Sequence, residues 1–199
     1  MYSWIRRNLN GSLVAAVAAV ALAACGTENG ISPDQSTANE GTPIIAQDNT
    51  LRDPVDLGTC DSLAAPTGNH FVAKFYAKGY QIYRWDGSAW AFVEPSAKLY
   101  LGKFAIVQVG KHYVGPTWES LSGSKVVGSV SKRCPSTSGS IPWLLLSAAS
   151  TEGYGIFRGV TFIQRFNTTG GTAPSQPGTQ VGQMANVAYT ADYAFYRGN

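Results

Sequence analysis

Charge is scarce in this chain: 14% of its 199 residues are Asp, Glu, Lys or Arg. No run of lysine or arginine stands out, so a nucleic-acid partner is not expected. Histidine is limited to His70 and His112, and cysteine to Cys25, Cys60 and Cys134. No Cys-x-x-Cys or His-x-His spacing joins them, which argues against a zinc site; no metal and no particular cofactor is indicated. A Gly-x-Ser-x-Gly elbow and a Gly-x-Gly-x-x-Gly turn are both missing, so neither serine-hydrolase nor dinucleotide chemistry is signalled. The acidic residues are scattered, without the close carboxylate pair that glycoside hydrolysis requires. No stretch reaches the roughly 20 apolar residues of a membrane-spanning helix. No long segment carries a 3.6-residue apolar stripe either.

What is present starts with a leader. Arg6 and Arg7 precede an unbroken run of Leu, Val and Ala from Leu13 to Ala24. The run ends in Leu22-Ala23-Ala24-Cys25-Gly26, small residues before a cysteine, as at a signal-peptide cleavage site. The pattern resembles the lipobox of bacterial lipoproteins. The resemblance implies a signal peptide over residues 1–24 and a Cys25 carrying thioether-linked diacylglycerol and an N-acyl chain such as palmitate. Two or more acyl chains make dissociation from a bilayer negligible. The expected location is therefore the cell envelope, outside the cytoplasm. Gly26, where inner-membrane retention uses Asp, points to the outer membrane in a Gram-negative host. Residues 26–50 are polar and turn-rich and read as a tether after Cys25. That leaves 51–199 as a single domain. Without Arg6 and Arg7, thirteen cations face twelve anions, so net charge is uninformative.

Period-two alternation dominates from residue 70 onward. Val187, Tyr189, Ala191, Tyr193 and Phe195 share one face of a half-buried strand. Phe71–Tyr76 and Tyr80–Trp85 read as strands, as does 156–166 with Gly159 as a bulge or bend. Asp86-Gly87 between aromatic runs predicts a hairpin, and Ser122-Gly123-Ser124 a second one. Ser96–Leu101 is expected as a brief helical turn. The apolar run Ile141–Leu146 fits either a short buried strand or one turn of helix. Residues 170–183 are expected as a surface loop. The fold class is all-β with little helix, an antiparallel β-sandwich or a small β-barrel. Outside the cytoplasm Cys60 and Cys134 are expected to be bridged. Closing a loop of that length stabilises by about 4 kcal/mol at most.

Several segments, in order, resemble the domain of unknown function 3455 family of secreted bacterial and fungal proteins. They include Gly79-Tyr80-Gln81-Ile82-Tyr83-Arg84, Pro95-Ser96-Ala97-Lys98-Leu99 and His112-Tyr113-Val114-Gly115-Pro116-Thr117-Trp118-Glu119. Ile141-Pro142-Trp143-Leu144-Leu145-Leu146, Ile163-Gln164-Arg165 with Thr169–Pro174, and Tyr189–Tyr193 complete the set, spanning about 45–197. The resemblance implies no activity. Many members resemble this chain but carry a cysteine where Trp85 stands and another after the Gly-Gly-x-Ala-Pro loop; both are absent here.

His112 is the strongest single candidate for chemistry, as a proton shuttle or ligand. Glu119 lies across the Gly115-Pro116 turn and can approach it if the chain reverses there. Gln81 and Tyr83 share a strand face and can line a pocket, as can Trp118 and Arg165. Arg165 and Asp192 can alternatively pair with each other. Trp85, Trp90, Trp118 and Trp143 offer stacking platforms for sugars. His70 is expected to be a loop residue. The leading expectation is a ligand- or partner-binding β-domain, tethered to the membrane through Cys25, that takes a small molecule or glycan near His112, Trp118 and Glu119. The alternatives are an enzyme using His112 with Glu119, and a structural envelope protein.

Overall fold

The structure is a computed structural model that describes residues 55–137 and 139–199. The expected signal peptide, the lipidated Cys25 and the tether lie outside the described residues. Eight antiparallel strands close into one barrel in simple chain order. They are β1 (Asn69–Trp85), β2 (Trp90–Tyr100), β3 (Gln108–Tyr113), β4 (Thr117–Ser120), β5 (Lys125–Cys134), β6 (Trp143–Glu152), β7 (Val160–Gly170) and β8 (Met184–Gly198). β8 returns to pair with β1 along almost its whole length, from Asn69–Gly198 to Arg84–Met184. Of the two expected architectures the barrel is the one observed.

The turns follow their local chemistry. Asp86 accepts hydrogen bonds at Oδ1 from the backbone N–H groups of Ser88 and Ala89 and from the Ser88 hydroxyl. Gly87 sits at φ +107°, a conformation glycine adopts without strain, and the β1–β2 hairpin closes where Asp-Gly predicts. Gly123, at φ +85°, turns β4 into β5 in the same way. Three expectations need correction. Phe71–Tyr76 and Tyr80–Trp85 are one strand, continuous through Gly79. Ser96–Leu101 is strand rather than helical turn up to Tyr100. Pro95 is tolerated in β2 because β3 first pairs at Ala97, so no ladder partner needs its missing N–H on that side. The strand expected from residue 156 begins only at Val160, after a turn that Gly159 completes at φ +68°.

Two layers of packing hold the barrel. Inside, Phe75, Leu99, Phe157, Val160 and Phe195 join one apolar cluster with Trp118, Leu146 and Tyr193. Outside, the segment that precedes β1 lies across the barrel wall. Leu63, in the 3-10 turn Asp61–Leu63, packs with Leu145 and the disulfide. Cys60 and Cys134 are bonded, with Cα atoms 5.8 Å apart and a sequence separation of 74. Gln164 fastens this segment: its Nε2 donates to Leu63 O at 2.7 Å, while Tyr196 donates to its Oε1 at 2.6 Å. The wall from β6 to β8 is thus covered on both faces. That explains the unbroken burial of Leu144, Leu145 and Leu146, and of Ala191 through Tyr196. The Ile141–Leu146 run enters a strand at Trp143, with Pro142 just ahead of it.

Candidate functional site

An eight-stranded barrel is just wide enough for side chains to fill it or for one small ligand to sit inside. Here the two ends of the interior differ. The end that holds the 153–159 turn is filled by rings. Phe157 lies 4.7 Å from Phe195 and 6.1 Å from Phe75, centroid to centroid. The other end, where β1, β3, β5 and β7 finish, holds a partly open cavity of about 650 Å³. That volume lies within the range typical of small-molecule sites.

Strand lengths give this cavity a way out. The β3–β4 hairpin is short: its ladder ends at Tyr113–Thr117. β2 pairs with β3 only from Ala97 onward, and β5 pairs with β4 only as far as Val127. Beyond those points the facing edges of β2 and β5 diverge around the hairpin tip, and the wall is lowered. Phe92, Val93, Val114 and Val130 line the cavity here and are also solvent-exposed, forming an apolar rim.

His112 faces the interior from β3. It is 2% exposed and stacks on the Trp118 ring at 4.4 Å and 12°. Its Nδ1 lies 2.9 Å from the Thr117 carbonyl, which can only accept, so Nδ1 carries the hydrogen and Nε2 the lone pair. Burial drives its pKa down to about 3, opposed by the Thr117 carbonyl and reinforced by the Arg165 cation. The imidazole is therefore neutral throughout the physiological range. Trp118, fully buried, lies 5.2 Å from the Tyr193 ring. Glu119 does not join them. The register pairs His112 with Trp118 and Lys111 with Glu119, so His112 and Glu119 occupy opposite faces of the wall. The Glu119 carboxylate instead accepts from the Tyr113 hydroxyl at 2.7 Å and meets the Lys111 ammonium at 3.2 Å. The hydrogen bond from Tyr113 is the first cause of its lowered pKa, and the same bond raises Tyr113 to about 12. The expected convergence of His112 and Glu119 on one pocket is thus corrected.

Gln81, Tyr83 and Arg165 do line the cavity with His112 and Trp118. Tyr83 donates to Gly171 O at 2.7 Å, fixing the start of the 171–183 connection against the barrel end. Gly171 is required there, because a Cβ would lie 2.8 Å from Tyr189 Cβ and 3.1 Å from Gln81 Cγ. Arg165 does not pair with Asp192. Its Nε and Nη2 both donate to Pro142 O, at 3.1 and 2.9 Å, while Asp192, on the outer face, accepts from Asn167. The tryptophan platforms are also mostly occupied. Trp85 and Trp90 meet edge to face under the 171–183 connection, where the Trp90 Nε1 donates to Gln176 O and Gly178 abuts Trp85. Trp143 packs on Phe166 outside the barrel.

The family model described as protein of unknown function (DUF3455) matches residues 66–197. The chain belongs to this family. The matched stretch takes in β1 to β7 whole and β8 up to Arg197, while Cys60 and the 3-10 turn precede it. Comparisons with curated proteins and with solved structures find no match.

Two polar lining residues, Tyr193 and Arg133, were not among the expected site residues. Tyr193 lies on the inner face that the β8 alternation already marked. Arg133 gave no such signal. A bulge between Val130 and Lys132 shifts the parity of β5, so that Arg133, not Lys132, pairs with Leu144 on the cavity side.

Proposed function

We propose that this protein is an extracytoplasmic lipoprotein, anchored through Cys25, whose barrel binds a small, largely apolar molecule. The observation that supports it is the division of the interior: one end packed with rings, the other hollow, apolar-lined and open beside the short β3–β4 hairpin. A binding role fits this lining better than a catalytic one. Among the described residues no Asp, Glu, Ser or Cys borders the cavity to partner His112, whose Nδ1 is spent on a backbone carbonyl. A glycan fits less well, since the one cavity-lining tryptophan is already stacked on His112.

The test uses the full chain carrying Cys25→Ser, which removes the anchor, and N-phenyl-1-naphthylamine, a neutral probe whose fluorescence rises in apolar sites. Saturable enhancement at one site per chain is expected, with tenfold or greater weakening in Val130→Trp, which fills the rim. Enhancement that does not saturate, or that ignores Val130→Trp, would refute the reading. The anchor is tested by labelling cells with radioactive palmitate: label on the native chain and none on Cys25→Ser is expected.

A further inference from the structure

The polar groups around the cavity are unbalanced. Arg133 and Arg165 border it and, among the described residues, no carboxylate does. Among the described residues the Lys111–Glu119 pair is the one ion pair, so Arg165 has no acidic partner there. Its guanidinium carries five N–H groups, and two are spent on the Pro142 carbonyl. Beside it, Gln81, Tyr189, Tyr193 and Arg165 form a polar chain, close enough that Gln81 and Tyr193 affect the ionisation of Tyr189, and Tyr189 and Arg165 that of Tyr193. Even so, the Gln81 Nε2 and both tyrosine hydroxyls are buried without a well-formed hydrogen bond. Gln81 is 3% exposed and Tyr193 1%. Buried donors whose hydrogen bonds are poorly formed cost up to about 1–3 kcal/mol each, while the Arg165 guanidinium beside them is half-buried and Arg133 is exposed at the cavity mouth. Every one of these groups can donate, and a charged acceptor would satisfy several of them together. The cavity wall beside them is apolar: Ile141, Leu144, Leu146 and the Trp118 ring.

We propose that the hollow end of the barrel takes a molecule with a carboxylate head, held by Arg165, Tyr193 and Gln81, and an apolar body lying along Trp118, Leu144 and Leu146. The proposal rests on the binding reading above and specifies its ligand. Arginine suits the task because its planar fork matches a carboxylate with two parallel N–H···O bonds. The apolar rim at Phe92, Val93 and Val114 admits the body, and the cations sit where the head must come to rest.

Isothermal titration of the Cys25→Ser chain with decanoate and with 1-decanol, matched in body and different in head, separates the two claims. Decanoate is expected to bind at least tenfold more tightly than decanol. Arg165→Gln should reduce that preference to less than twofold, and Arg165→Lys should restore part of it. Gln81→Leu and Tyr193→Phe, which leave the Pro142 contact intact, should each cut decanoate affinity severalfold while sparing decanol; they serve if Arg165→Gln does not fold. Decanol binding as tightly as decanoate would overturn the head-group assignment and leave the barrel reading in place. A preference that survives Arg165→Gln would remove Arg165 from the site. Silence from both compounds, with Val130→Trp also without effect on the naphthylamine probe, would overturn both readings.

Discussion

The two ends of the barrel interior are built from the same strands and solve opposite problems. Around Phe157, the rings of Phe75 and Phe195 meet edge to face or tilted, and Leu99 and Val160 fill the space between strands. Around Arg165 the walls carry Gln81, Tyr83, His112 and Tyr193, and they leave a space unfilled. A close-packed apolar end gains from every contact it makes. A hollow end lined with donors that lack well-formed hydrogen bonds loses on both counts, through missing contacts and through polar groups removed from water. On the binding reading proposed above, such an end is kept for a ligand rather than for stability.

The largest effect should come from breaking the packed end. Phe157→Ala is expected to lower unfolding free energy by about 3–5 kcal/mol, as for large aromatic truncations in cores. Leu144→Ala, beside the existing cavity, should cost less than half as much, because that side chain already lacks contacts on one side. Urea denaturation of both variants measures the contrast, and equal losses would erase it.

Next comes the disulfide. Cys134 ends β5 next to Arg133, on the strand whose ladder with β4 stops at Val127, with one further bond from Gly128 N–H to Pro116 O. Replacing Cys60 and Cys134 by serine is expected to cost about 2–4 kcal/mol. Amide exchange should quicken first in 129–134 and last around Phe157. A uniform rise would show that the bridge does not favour the hollow end.

A third test is a pH slope. His112 has a folded pKa of about 3 against 6.5 when exposed. Between those values the unfolded chain binds a proton that the folded chain refuses. Stability is therefore fully present above about pH 6.5 and falls as pH drops, by about 1.4 kcal/mol per unit from this group. The groups that face it are Arg165, Trp118 and Tyr193, and burial raises the Tyr193 hydroxyl above its ordinary range, away from that window. His112→Asn, which keeps a donor for the Thr117 carbonyl, should flatten the slope between pH 6 and 4. An unchanged slope would mean that His112 is not held neutral.

The smallest effect has the opposite sign. Gln81→Leu removes a buried amide nitrogen that lacks a well-formed hydrogen bond and should leave stability unchanged or raise it by about 1 kcal/mol. Decanoate affinity should fall in the same variant. A clear loss of stability would show that Gln81 serves the fold rather than a ligand.

Much of this was legible in the residues, for reasons that can be named. Alternation in β8 separated Tyr189, Tyr193 and Phe195 from Ala188, Thr190 and Asp192, because side chains on a strand change face at every residue. Asp86-Gly87 and Gly123 marked turns that the structure contains. Gln81, Tyr83, His112, Trp118 and Arg165 could be singled out as lining residues, since polar or aromatic groups on an apolar face need a reason. Closure of the barrel was not legible. It depends on β1 meeting β8 across the whole chain, and local pattern carries no information about that pairing. Glu119 was misplaced because a turn of three residues, 114–116, sets a register that puts Lys111 rather than His112 opposite it. Arg133 was missed because one bulge inverts the parity of β5.

The central claim is that the hollow end, and not another surface, receives the ligand. Backbone and side-chain NMR shifts of the isotope-labelled Cys25→Ser chain, followed through a decanoate titration, test it most directly. The expected result is saturable change at Gln81, His112, Trp118, Arg165 and Tyr193, with the amides of Phe75, Phe157 and Phe195 nearly still. Change confined to the outer wall, around Lys111 and Glu119 for example, or no change at any concentration below micelle formation, would contradict it.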